Sequence, residues 1–66
     1  MQVQLNGEAT QLKDDLSVSQ LIEHLGLADR RIAVEVNEAI VPKSAHGRTH
    51  LAEGDRVEVV HAIGGG

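Results

Sequence analysis

Short alternating stretches and one helical stripe organise this chain. Residues 2–5 read Gln-Val-Gln-Leu, which puts Val3 and Leu5 on one face of a strand. Asn6-Gly7 follows, a strong two-residue hairpin signal because both residue types tolerate positive φ. Residues 8–12 return, with Leu12 on the inner side. The pattern then changes period. Val18, Leu21, Ile22 and Leu25 stand at i, i+3, i+4 and i+7, one stripe of a helix running from about Val18 to Leu25. Ser17 is its N-cap, and Gln20 completes a capping box. Leu16 and Leu21 are placed as a hydrophobic staple. Asp14 and Asp15 favour the helix's positive end, and Gly26 suits the left-handed residue that ends it.

Period two resumes at Ile32, Val34 and Val36, which predicts a strand over 32–36. Asn37-Glu38 is a turn, and residues 39–41 continue extended until Pro42 ends any central pairing. Residues 43–50 read as an exposed loop, and Glu53-Gly54-Asp55 as a turn. Arg56 to Val60 forms the last strand, with Val57 and Val59 facing one way. A single helix with one apolar stripe, set among alternating strands, is buried most simply across one face of a mixed sheet. The fold class is therefore α+β, with four to five strands on one helix. Residues 1–63 make one domain, and Gly64, Gly65 and Gly66 form a flexible tail.

Composition removes whole classes of function. The chain has 66 residues, too few for a second domain. It has no aromatic residue and no cysteine. Base stacking, disulfides, cysteine zinc sites and thiol nucleophiles are thereby excluded. The net charge is −4 with both signs interspersed, unlike the basic footprint of a nucleic-acid binder. No apolar run approaches the ~20 residues of a membrane span, and the N-terminus is not a signal peptide, so the expected compartment is the cytoplasm.

Candidate chemistry is sparse. His46 and His50 have i, i+4 spacing, which would suit a metal on a helix, but Gly47 and Pro42 favour a loop with solvated imidazoles; no metal and no cofactor is expected. His24 falls on the polar side of the helix, and His61 is interface or plain surface. Asp14 and Asp15 are adjacent and cannot flank a substrate. A pocket of ~300 Å³ or more is hard to fit beside so small a core. An active site of the chain's own is not expected. The remaining feature is the glycine terminus. It is either a frayed end or linker remnant, or a side-chain-free stalk that presents the Gly66 carboxylate to a partner's narrow active-site channel.

Three segments decide between these readings. Val34-Glu35-Val36-Asn37-Glu38-Ala39-Ile40-Val41-Pro42-Lys43, Glu53-Gly54-Asp55-Arg56-Val57-Glu58-Val59-Val60 and the terminal Gly65-Gly66 together resemble the sulfur carriers of thiamine biosynthesis, a ubiquitin-like β-grasp family. The likeness covers essentially the whole chain. It implies a carrier rather than an enzyme. The Gly66 carboxylate would be adenylated with ATP by a ubiquitin-activating-type adenylyltransferase. A cysteine desulfurase or other sulfur donor would convert it to a thiocarboxylate. A thiazole synthase would take the sulfur. Val60, Ala62 and Ile63 form an apolar approach to the tail and are the candidate docking residues. Competing readings are the small subunit of molybdopterin synthase, a lysine-attached protein modifier, and a plain β-grasp docking module that needs no free glycine terminus.

Overall fold

A computed structural model describes residues 1–61; Ala62, Ile63 and Gly64 to Gly66 lie outside the described residues. The elements in chain order are β1 (Gln2–Leu5), β2 (Glu8–Gln11), α1 (Val18–His24), β3 (Ile32–Val36), β4 (Ala39–Val41), a 3-10 turn (Lys43–Ala45) and β5 (Arg56–His61). The strands form one mixed sheet in the order β2-β1-β5-β3-β4. Among the described residues only β1 and β5 run parallel, with Gln4 opposite Arg56 and Leu5 opposite Val57. The expected mixed sheet around one helix is therefore present, with five strands.

Local chemistry accounts for the elements. Asn6 and Gly7 have φ of 50° and 84°, as a two-residue I′ connection needs. In α1 the reciprocal capping box is formed: Gln20 N donates to Ser17 Oγ at 3.1 Å, and Ser17 N donates to Gln20 Oε1 at 2.9 Å. The helix ends in a Schellman motif. Leu27 N donates to Ile22 O and Gly26 N to Glu23 O, both at 3.0 Å, with Gly26 at φ 74°. Leu25 is the C-cap and is 37% exposed, so the apolar stripe is shorter than its spacing suggested. The chain turns away at Gly26, and Leu27 is the residue that packs back on the core.

That core is wholly aliphatic. Val18, Leu21 and Ile22 from the helix meet Val3, Val34, Val57 and Val59 from the sheet, with Leu12 and Leu51 closing the ends. The stretch 43–50 departs from the exposed loop expected of it. Its 3-10 turn folds back, His46 is 8% exposed, and Leu51 enters the core. The cause lies at the start of α1, whose first N–H groups have no partner within the helix. Val18 N donates to Thr49 O at 2.9 Å, and Ser19 N donates to His46 O at 3.0 Å. The segment is thus a second cap, supplied by residues roughly thirty positions away. Among the described residues no helix is long and apolar enough to cross a membrane.

Met1 anchors the other end of this layer. Its amino group donates to Leu12 O at 2.7 Å and to Asp14 Oδ1 at 2.8 Å. The hydrogen bond and then the charge of that amine hold the Asp14 carboxyl below its usual 3.8.

Two stability outcomes follow from this packing. Leu21 is fully buried, so Leu21→Ala costs ~2–5 kcal/mol in chemical denaturation, and a loss below ~1 kcal/mol would show that the helix does not seat on the sheet. A carboxyl with a lowered pKa stabilises the fold above its unfolded value, and that contribution fades as pH falls through the folded value. Asp14→Asn therefore lowers Tm slightly at neutral pH, and the gap closes in acid below 3.8. A gap of constant size across that range would exclude the ion pair as its source.

Candidate functional site at the end of the central strand

The strand that leads to the glycine tail occupies the middle of the sheet. β5 pairs antiparallel with β3 over five positions, from Val36 opposite Val57 to Ile32 opposite His61. Its other side pairs with β1, where Gln4 N donates to Asp55 O at 2.9 Å and Asn6 N donates to Val57 O at 2.8 Å. β1 then turns away into its hairpin, and the Asn6 side chain takes over. Its Oδ1 accepts from Val59 N at 2.8 Å, and its Nδ2 donates to Val59 O at 3.2 Å. One amide group thus replaces a strand residue and satisfies both main-chain groups of Val59.

Asn37 performs the matching task at the start of β5. Its Oδ1 accepts from Arg56 N at 2.9 Å, and its Nδ2 donates to Asp55 Oδ1 at 3.0 Å. Both asparagines sit in tight turns with positive φ, where the sequence explains them by conformation alone. Their second role is tertiary and was missed. The available signal was the choice of Asn over Gly at both turns, since only Asn carries an amide that imitates the backbone.

The two faces of β5 differ sharply. Val57 and Val59 are buried against α1, whereas Arg56, Glu58, Val60 and His61 are exposed. Val60 is 55% exposed on the face opposite the helix, directly across from Ala33. Ile40, 72% exposed, lies on the same face across from Glu35. Val60 is thus available to a partner. The other candidate positions, Ala62, Ile63, Gly64, Gly65 and Gly66, lie outside the described residues.

The remaining candidates separate. His46 and His50 do not converge. The His46 Nε2 lies 3.1 Å from Val41 O, and the His50 Nδ1 lies 3.0 Å from Asp15 Oδ1. The expectation of a solvated His46 is therefore corrected: its ring is drawn in when its carbonyl caps α1. Among the described residues no cluster of three or more His, Cys, Asp or Glu could hold a metal. His24 is exposed on the helix, as its position off the stripe implied. The expectation of no sizeable pocket is also overturned. A surface cleft of about 340 Å³ opens beside the helix's C-terminal half, outside the core rather than within it.

Comparison with known proteins agrees with this architecture. A family model described as the ThiS family matches residues 3–66. The chain is 32% identical over 65 residues to the sulfur carrier protein ThiS of Bacillus subtilis, covering 97% of this chain and 98% of that protein. It is 41% identical over all 66 residues to a thiazole synthase of Magnetococcus marinus, of which it spans only 20% of the length. The crystal structure of the thiamine biosynthesis protein ThiS from Geobacter metallireducens superposes with a TM-score of 0.87 at 29% identity, covering both chains completely.

The opposite faces of β5 predict opposite sensitivities. Val60→Thr keeps a β-branched side chain on an exposed face and costs less than ~0.5 kcal/mol. Val59→Thr buries a hydroxyl against the helix and costs ~1–3 kcal/mol. Equal losses in urea titration would contradict the assignment of the two faces.

Proposed function

Because the chain belongs to the ThiS family, we propose that it carries sulfur for thiamine biosynthesis on the carboxylate of Gly66. The observation that carries this reading is a family match running from Val3 through the last glycine, together with a near full-length relative named as a sulfur carrier. The described structure supports it by holding β5, the strand that leads to the tail, at the centre of the sheet.

The chemistry follows from what a carboxylate lacks. It is a poor electrophile, because the group that would have to leave is oxide. A Gly66 carboxylate oxygen attacks the α-phosphorus of ATP on an adenylyltransferase of the ubiquitin-activating type. Pyrophosphate leaves, and an acyl-adenylate remains. Sulfide, or the terminal sulfur of a persulfide on a cysteine desulfurase, then attacks the carbonyl carbon and expels AMP. In the persulfide route, a thiol cleaves the resulting S–S bond and the thiocarboxylate is released. Gly65 stays small because a side chain would obstruct a channel narrow enough to admit the tail. The chain's own part is presentation; the cytoplasmic partner enzymes hold the ATP and supply the sulfur.

A thiazole synthase as recipient is supported by the relative of that name, one fifth of which is similar to this chain. The same similarity favours the thiamine branch over a molybdopterin-type subunit or a lysine-attached modifier. Val60, with Ala62 and Ile63, is the proposed apolar approach by which the partner grips the strand end.

The test is intact-mass measurement after incubation with the activating enzyme, ATP and a sulfur source. The C-terminal peptide gains the difference between sulfur and oxygen. Deleting Gly66 or appending one Ala abolishes the gain, and Val60→Asp or Ile63→Asp slows it with little change in Tm. Sulfur gained by the truncated chain would refute the carrier reading.

A further inference from the structure

The cleft beside α1 is unusual in an acidic chain. Ten acids oppose six bases overall, yet Arg30, Arg31 and Lys43 all line this one opening. Among the described residues Asp29 is the single acid in its lining, which leaves a positive excess of two. The lining also includes Ile22, which is largely buried, and the half-buried Ile32. Among the described residues none of the three cations takes part in an ion pair. Two elements that the sequence keeps apart create the cleft: the 28–32 segment entering β3, and the 3-10 turn that folds back to cap α1.

Its position matters as much as its charge. Ile32 is paired with His61, the last residue of β5. Arg31 precedes that pair, so the cationic rim lies at the end of the sheet from which β5 leads to the tail. A protein that grips the end of β5 has surface close to this rim.

We propose that the cleft docks an acidic segment of the protein that receives the tail. Its carboxylates meet Arg30, Arg31 and Lys43, and an aliphatic side chain between them lies over Ile22 and Ile32. The mixed lining favours such a segment over free phosphate or pyrophosphate, which draws nothing from two isoleucines. The rim cations are exposed, so they contribute to speed and selectivity of encounter more than to tight binding. Elsewhere the chain's negative charge repels the same segment, which restricts docking to this end. The carrier reading enters only in naming the tail's recipient as the partner; the cleft's preference for acidic, aliphatic chain is testable without it.

The experiment is an amide NMR titration of the full chain at low salt with a short capped peptide of alternating Glu and Leu. Shifts concentrate at residues 28–32 and 43–46, and the affinity falls as salt is raised across the range where the screening length drops below ~10 Å. Replacing all three cations (Arg30→Gln, Arg31→Gln, Lys43→Gln) weakens binding about threefold to tenfold at low salt, and Lys13→Gln leaves it unchanged. If the triple variant unfolds, Lys43→Gln alone and the salt series still decide. Absence of shifts up to ~1 mM peptide overturns the proposal, as do shifts centred on the Val60 face. Pyrophosphate shifting the same amides at lower concentration would overturn it in favour of a small-anion site. Failure of Gly66 to gain sulfur would remove the carrier reading without touching this result.

Discussion

The parallel pairing of β1 with β5 is the contact on which the rest of the molecule depends. It joins residues more than fifty positions apart and makes the C-terminal strand the central one. A strand at a sheet edge is held on one side and frays readily. β5 is held on both sides, by β1 and by β3, and two of its side chains are buried under the helix. Whatever follows His61 therefore starts from the most constrained strand of the sheet. The proposed carrier role draws on that base, because a partner that grips the end of β5 meets a rigid surface there.

Small size makes polar accounting decisive. With no aromatic residue and no disulfide, the core consists of Val, Leu and Ile side chains, and the margin for an unpaired buried group is slight. Distant segments close the gaps. Asn6 completes the ladder of Val59 where β1 turns away, and Asn37 fixes the first residue of β5. The 46–49 segment satisfies the first turn of α1. Among the described residues no buried side-chain nitrogen or oxygen lacks a partner. The 3-10 turn that leads into the second cap also brings Lys43 into the cleft that Arg30 and Arg31 line, so one structural requirement also shapes a charged surface.

The helix covers only one side of the sheet. The opposite side keeps Val60 and Ile40 in solvent beside Glu35 and Glu58, which face each other across β3 and β5. Like charges placed directly opposite weaken a sheet. Their presence fits a face used for recognition rather than for stability. Two chemically different surfaces thus flank the sheet, apolar and acidic on one side and basic beside the helix.

The sequence by itself determined every regular element but the 3-10 turn. Alternation, the capping box and the paired turn residues are local signals, read within a few positions, and each was realised nearly as spaced. It also pointed to the family, because the glycine terminus and its flanking segments are legible as residues. Tertiary structure decided what depends on distant partners. Leu25 shares the spacing of the buried stripe but leaves the core, because the Schellman turn at Gly26 redirects the chain and Leu27 packs in its place. His46 looks like a loop histidine and is buried, because its carbonyl caps a helix that lies far away in sequence. Asn6 and Asn37 read as turn residues and act also as clamps on β5. The cationic cleft is the fullest case, since Arg30 and Arg31 lie on one segment and Lys43 on another, and the two meet only when the sheet closes over the helix. Periodicity reports which face of an element is apolar; it carries no information about which distant carbonyl or amide a side chain will meet.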